Sequence, residues 1–423
     1  MVPHGYASDE LSGGIAVFVP AFREAGVIAT TIAHMAQAWP QKSVRFYIGC
    51  YANDPATLEA AMEGAGTDAR VRLVVHHEAG PTTKADCLNR LYAALRHDEQ
   101  RSGRAFRGVV LQDAEDMVHP CGLKVIDAAL GDHDFVQLPV RPALDPASRW
   151  IGGHYADEFT EAHAKALVVR SALGAAIPAA GVGCGFAREA LHRLAERRGL
   201  SEGPFATDCL TEDYELGMIL SREGRGSTFL RLRDPDGALI ATSSYFPGEL
   251  TTSVRQKTRW IHGIAFQGWD RMGWSKRPIE LWMALRDRRG PLTAIVLMAA
   301  YALLAIEAVL LAAKQFGLAA PQRASYALEV MLALTLAGCV WRLAMRIAFT
   351  GREYGWAEAA RSVLRLPVAN IIAIMAGRRA LTAYVRSLTG QPVVWDKTTH
   401  LIHPAMATPG ALGIARPAGE VSA

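Results

Sequence analysis

The sequence predicts an α/β fold, a doubly wound sheet followed by a hairpin of membrane-length helices. Three observations predict it. Short apolar runs alternate with helical spacing between Gly14 and Val140, the pattern of strands joined by crossover helices. Acid-rich segments follow the ends of those runs, and two long apolar segments begin near Pro291.

The elements come in order. Gly14–Pro20 is an apolar run closed by proline and reads as a buried strand. Residues 27–39 have helical spacing. Val44–Gly49 is a second strand, ending in the turn-forming stretch 51–55. Residues 57–64 read as a helix and Val71–Val75 as a third strand. Lys84–His97 is an amphipathic helix, and Arg107–Leu111 a fourth strand that delivers Asp113 and Glu115. Asp134–Val140 is a fifth. Ligands of such sheets sit outside the carboxyl ends of the strands. The loops at 20–24, 51–55 and 112–116 are therefore the places for chemistry.

Residues 276–290 form a basic amphipathic segment. Residues 291–313 are apolar apart from Glu307, and 325–349 apart from Glu329, Arg342 and Arg346. Each reaches the roughly 20 residues that cross a bilayer. Arg286, Arg288 and Arg289 precede the pair and Arg352, Arg361 and Arg365 follow it, whereas the connecting loop holds only Lys314 and Arg323. Both flanks are therefore expected on the cytoplasmic side. The apolar stretch 366–376 is too short to span and lies between Arg365 and Arg378-Arg379. The segment 360–388 reads as an interfacial or re-entrant helix, with a third span as the alternative. Residues 389–404 are then a cytoplasmic tail element, and 1–12 and 405–423 are expected to be disordered. The sheet domain covers 13–275.

Averages hide this division: 50% of the 423 residues are hydrophobic and 20% charged, with mean hydropathy +0.11. A net charge of +4 carries no nucleic-acid signal. The six cysteines are scattered without a C-x-x-C pair. That argues against zinc or a disulfide framework and suits a reducing cytosol. The first twelve residues lack the regions of a signal peptide, so insertion is expected from internal segments.

Asp113 and Glu115 lie two apart at a strand end, where alternate side chains share a face. Both can point at one ion, and magnesium or manganese is commonly held by one or two carboxylates plus substrate phosphates. Asp116 is the alternative second ligand. An acidic surface turn is the plain alternative for all three. Thr211-Glu212-Asp213 offers a carboxylate that could accept a proton. It is also a good helix start, and the two readings are compatible. Gln256, Arg259 and Trp260 share one helical face by their spacing. Trp offers a flat apolar surface to a sugar ring, and Gln and Arg offer donors. Gly181–Gly185 superficially looks like a dinucleotide loop but lacks the early βαβ context.

In their order, and in their place before the apolar segments, Gln112–Asp116, Thr211–Asp213 and Gln256–Trp260 resemble the signatures of membrane-bound family 2 glycosyltransferases, whose catalytic domain has the GT-A fold. The resemblance covers roughly residues 14–400. It implies that Asp113, with Glu115 or Asp116, holds a Mg2+ or Mn2+ diphosphate. Asp213, beside Glu212, is the implied base, and Gln256, Arg259 and Trp260 the acceptor and diphosphate contacts. Pro20, Ala21, Phe22 and Glu24 correspond to the nucleotide-entry loop. Asn53 and Asp54 stand where the uracil ring is read, and Lys84 approaches the nucleotide. Gly181–Gly185 resembles the segment that nears the sugars. Lys397, Thr398 and His400 lie in a tail element that covers the nucleotide. Gln112–Pro120 and residues 395–400 further resemble the phage-adsorption protein B branch of that family.

The implied activity is inverting, hexosyltransferase-type transfer from a nucleotide-sugar, a UDP-sugar, to a growing glycan or lipid-linked acceptor. Its setting is a multi-pass protein of the bacterial inner membrane with a cytoplasmic catalytic domain. Its product is a surface or exopolysaccharide, handed to an export or outer-membrane partner protein. Two alternatives stay open: single addition to a polyprenyl-phosphate lipid, and an inactive scaffold or receptor component of an export or phage-adsorption complex.

Overall fold

The computed structural model describes residues 10–318, 324–390 and 403–406. The chain divides into two compact units, one of residues 1–143, 163–246 and 397–423, the other of 144–162 and 247–396.

In the first unit, seven strands make one sheet: β1 (Gly14–Pro20), β2 (Val44–Tyr51), β3 (Val71–His76), β4 (Phe106–Leu111), β5 (Phe135–Gln137), β6 (Cys184–Ala187) and β7 (Ser227–Phe229). Their order is β3-β2-β1-β4-β6-β5-β7. β6 runs antiparallel to β4 and β5, and every other pairing is parallel. This is the mixed, doubly wound sheet expected for the GT-A fold. Its helices are α1 (Ile28–Ala38), α2 (Pro55–Ala65), α3 (Lys84–Ser102) and α4 (Gly122–Ala129). After α5 (Ile151–Glu161), which belongs to the second unit, come α6 (Leu167–Ala172), α7 (Arg188–Arg198) and α8 (Glu212–Arg222).

Local chemistry accounts for these elements. Ile15 to Val19 are fully buried, as a central parallel strand covered on both faces requires. Asp54 caps α2, ahead of Pro55 in its first turn, and Thr83 caps α3 by accepting the Asp86 N–H. The predicted fifth strand is shorter than 134–140. Leu138 gives its N–H to the Gly183 carbonyl, and Pro139 has none to give, so ladder pairing ends at Gln137.

The second unit is helical. α5 is joined by α9 (Leu250–Ile261), α10 (Gly268–Met272), α11 (Pro278–Asp287), α12 (Gly290–Gln315), α13 (Tyr326–Tyr354), α14 (Trp356–Leu364) and α15 (Leu366–Leu388). α12, α13 and α15 are long and apolar enough to cross a membrane. The apolar windows of α12 and α13 are 6% and 0% buried, that of α15 28%. α15 packs Ile372 and Ala376 against Val254 of α9. Here the structure differs from the sequence reading. The apolar stretch 366–376 is the first part of a 23-residue helix that continues through Arg378 and Arg379, so length does not exclude a crossing.

Arg365, between α14 and α15, is fully buried. It forms a two-pronged bond to Asp157 of α5, 2.9 Å on each prong, and meets Glu358 at 2.8 Å and the Arg149 carbonyl at 3.1 Å. Gly153 leaves the room: a side chain there would strike the guanidinium.

Candidate active site

The carboxyl ends of β1, β2 and β3 converge on one nook. Phe22 meets Tyr51 edge to face at 5.1 Å, and Tyr51 stacks on His76 at 4.5 Å. Asn53 bonds the Gly80 backbone in both directions at 2.8 Å. Pro20 ends β1, Ala21 bonds the Gly49 carbonyl, and Glu24 is buried at the entry to α1. Arg23 has φ +56°, rare for a side-chain-bearing residue. Asp54 holds it there by accepting its N–H at 2.5 Å. Asp54 is thus buried and occupied as a cap and a loop brace, while Asn53 is exposed.

β4 delivers Asp113 into contact with Lys84, whose Nζ lies 2.5 Å from Asp113 Oδ1. Burial alone would lower the Lys84 pKa. The carboxylates of Asp113, Glu212 and Asp213 outweigh it, raise that pKa and keep the ammonium charged. Three acids separated by up to a hundred residues therefore converge on one cation. Asp213 sits in the first turn of α8 and accepts the Tyr214 N–H on Oδ1 at 2.7 Å. Gly181 backs directly onto its Oδ2 at φ +78°. A side chain there would be strained and would displace the acid.

Asp116 differs from its neighbours. It is buried, and its Oδ2 accepts the Asp113 N–H at 2.7 Å. Burial, with the Asp113 and Glu115 charges adding, pushes it well above the usual carboxylate range. Asp116 therefore shapes the turn, whereas Glu115 is half-exposed. Gln112 is buried and accepts the Gly183 N–H, tying this turn to the 181–183 segment. Lys397, Thr398 and His400 lie outside the described residues.

In the second unit, α9 carries Gln256, buried, and Arg259 and Trp260, half-buried. Trp260 lies edge-on to Tyr155 and Phe159 of α5, at 6.1 Å from each. Lys257, between them in sequence, bonds both oxygens of Glu158 at 2.7 and 2.6 Å and lies 5.2 Å from the Tyr155 ring centre. Sequence reasoning missed this support because α5 offers no motif, only a Tyr-x-x-Glu-Phe spacing that becomes visible once a partner helix is known.

Comparison with known proteins gives a consistent picture. The family model described as "Glycosyltransferase like family 2" matches residues 13–263. Bacteriophage adsorption protein B of Escherichia coli (strain K12) is 34% identical over 409 residues, 91% of this chain and 54% of that protein. Bacteriophage N4 adsorption protein B of Escherichia coli O157:H7 matches equally. The chain spans about half the length of these curated relatives. Among solved structures, glucosyl-3-phosphoglycerate synthase from Mycobacterium tuberculosis, in complex with Mn2+, UDP and phosphoglyceric acid, is 19% identical. It covers 52% of this chain and 68% of its own, with a TM-score of 0.33, too low to bear on the chemistry here. The matched region contains Lys84, Asp113, Asp213 and the Gln256–Trp260 helix together, and the chain belongs to the family 2 glycosyltransferases.

Proposed function

We propose that the chain is an inverting, metal-dependent hexosyltransferase. It moves a sugar from a UDP-sugar to a growing glycan or lipid-linked acceptor at the bacterial inner membrane, in surface polysaccharide synthesis. The observation that carries this is the meeting of Asp113, 2.5 Å from the Lys84 ammonium, with Asp213, whose Oδ2 and the Lys84 Nζ face the same point at Gly181. The donors are hard oxygens gathered around a positive charge. Among the described residues no three His, Cys, Asp or Glu side chains are grouped so that they could hold a metal ion. A Mg2+ or Mn2+ held by Asp113 and Glu115 would therefore need a bound diphosphate to complete its oxygen ligands. Such a cation would supply charge neutralisation on the leaving diphosphate. Lys84 would add a second positive charge to the same site. Asp213 accepts the proton of the acceptor hydroxyl as that oxygen attacks the anomeric carbon. Arg259 and Gln256 offer donors, and Trp260 a flat face, to acceptor or diphosphate.

The test is transfer and hydrolysis measured over a panel of nucleotide-sugars. UDP-sugars are expected to be consumed, EDTA to abolish turnover, and Asp113→Asn to weaken metal-dependent UDP binding. Trp260→Ala should lower transfer more than hydrolysis, since water needs no stacking platform. Full activity in EDTA would sink the metal reading.

The membrane arrangement is part of the same proposal. Arg365, at the entry to α15, bonds Asp157 on α5. No membrane-length apolar segment separates α5 from β5 or β6 in the chain. Beyond α15, His403 hydrogen-bonds the Asp116 carbonyl next to β4. The basic residues Arg365, Arg378 and Arg379 around its apolar stretch favour an interfacial or re-entrant α15, although the helix is long enough to span. A reporter fused at Leu318 is expected outside the cytoplasm, and reporters at Arg286 and Gly390 inside it. An external Gly390 would make α15 a third span.

A further inference from the structure

The turn that carries Asp113 is braced through its backbone carbonyls. Thr31 of α1 donates its hydroxyl to the Ala114 carbonyl at 2.5 Å. His34, one turn on, meets the Val118 carbonyl at 3.0 Å, and Trp39 donates its indole N–H to the His119 carbonyl at 3.1 Å. Met117 exchanges two bonds with Ser243. Asp116 lies between these braces, and α1 does not supply its partner. The far end of the chain does. His403 is fully buried, its ring centre 6.3 Å from that of His34, and its Nε2 lies 3.4 Å from the Asp116 carbonyl.

The tautomer follows from the bonding. His403 Nδ1 accepts the Ala405 N–H at 3.1 Å, so it carries no proton. The proton is on Nε2, which therefore donates to Asp116. Asp116 passes the constraint on. Its carboxylate accepts the Asp113 N–H, and its own N–H returns to the Asp113 carbonyl at 3.3 Å. Two hydrogen bonds separate the tail from the candidate metal ligand.

We propose that His403 is a positioning residue. The C-terminal segment 403–406 braces the Asp113–Asp116 turn and so sets the geometry in which Asp113 meets the metal-diphosphate. This rests on the metal reading given above.

Two replacements separate the roles of the imidazole nitrogens. In His403→Gln an amide N–H reaches about as far as Nε2 does. In His403→Asn the side chain reaches only as far as Nδ1. It keeps an acceptor for Ala405 and loses the donor to Asp116. The full chain in detergent is titrated with Mn2+ in the presence of UDP. Amide hydrogen exchange over residues 113–119 is followed separately without metal. His403→Gln is expected within about twofold of wild type. His403→Asn should bind Mn2+ and UDP about 3- to 10-fold more weakly, the range of one buried hydrogen bond. It should also exchange faster over 113–119, with the melting temperature within about 2–4 °C of wild type, the shift one such bond produces. Equal affinity and exchange in His403→Asn and wild type overturns the inference and leaves the metal reading intact. Equal losses in both variants, with a lowered melting temperature, make His403 a packing residue and also overturn it. Wild-type UDP binding that is indifferent to Mn2+ removes the metal reading and this inference with it.

Discussion

Asp213→Asn is expected to lower sugar transfer about 10²–10⁴-fold, the usual range for loss of a general base, with donor binding close to wild type. The replacement preserves shape. An Asn oxygen can still accept the Tyr214 N–H that Oδ1 accepts now at 2.7 Å, so the first turn of α8 keeps its local bond. What disappears is the ability to take a proton. One negative charge beside Lys84 is lost as well, but Asp113 remains in direct contact with that ammonium at 2.5 Å. UDP affinity should therefore move far less than turnover. Measuring both in the same preparation separates the two effects. Near-normal turnover would reassign Asp213 to the helix start alone.

Arg365→Met is expected to destabilise the helical unit by about 3–5 kcal/mol, the cost of stripping one partner from a buried ion pair. Asp157 is fully buried with Arg365 beside it, and burial pushes its pKa up to about 6 even so. Without the guanidinium, Asp157 must take up a proton or open the packing to water, and Glu358 loses a bond of 2.8 Å. Met fills much of the volume, so the loss reports charge more than cavity. Adding Asp157→Asn and Glu358→Gln to Arg365→Met should recover much of the deficit. Unfolding of the purified chain in detergent checks this. A loss under about 1 kcal/mol, the level of an exposed pair, would mean the cluster is hydrated.

The central strands were legible because burial on both faces leaves a continuous apolar run, as in Ile15–Val19. β6 was not. Its sequence, Cys184-Gly185-Phe186-Ala187, shows small residues, and the reason is packing: a side chain at Gly185 would strike Ile126. The order of the motifs, through the family resemblance, pointed to Asp113, Lys84 and Asp213; residue type alone did not, since acids are favoured in the first turn of a helix. Type could not separate Asp116 from Glu115, because which acid turns inward is decided by the turn. Arg365 read from sequence as one basic bracket of an apolar stretch. Its burial depends on Asp157 and Gly153, more than two hundred residues earlier, and no local pattern encodes such a partner. His403 is hidden for the same reason.

The bond between His403 and Asp116 spans 287 positions, and that separation imposes a schedule. Ribosomes add about 5–20 residues each second. The turn bearing Asp113 therefore exists for roughly 15–60 seconds before the imidazole that braces it has been made. In that interval all three membrane-length helices are synthesised. A nascent chain can finish its sheet early, yet it completes this brace only after α12, α13 and α15 have been synthesised.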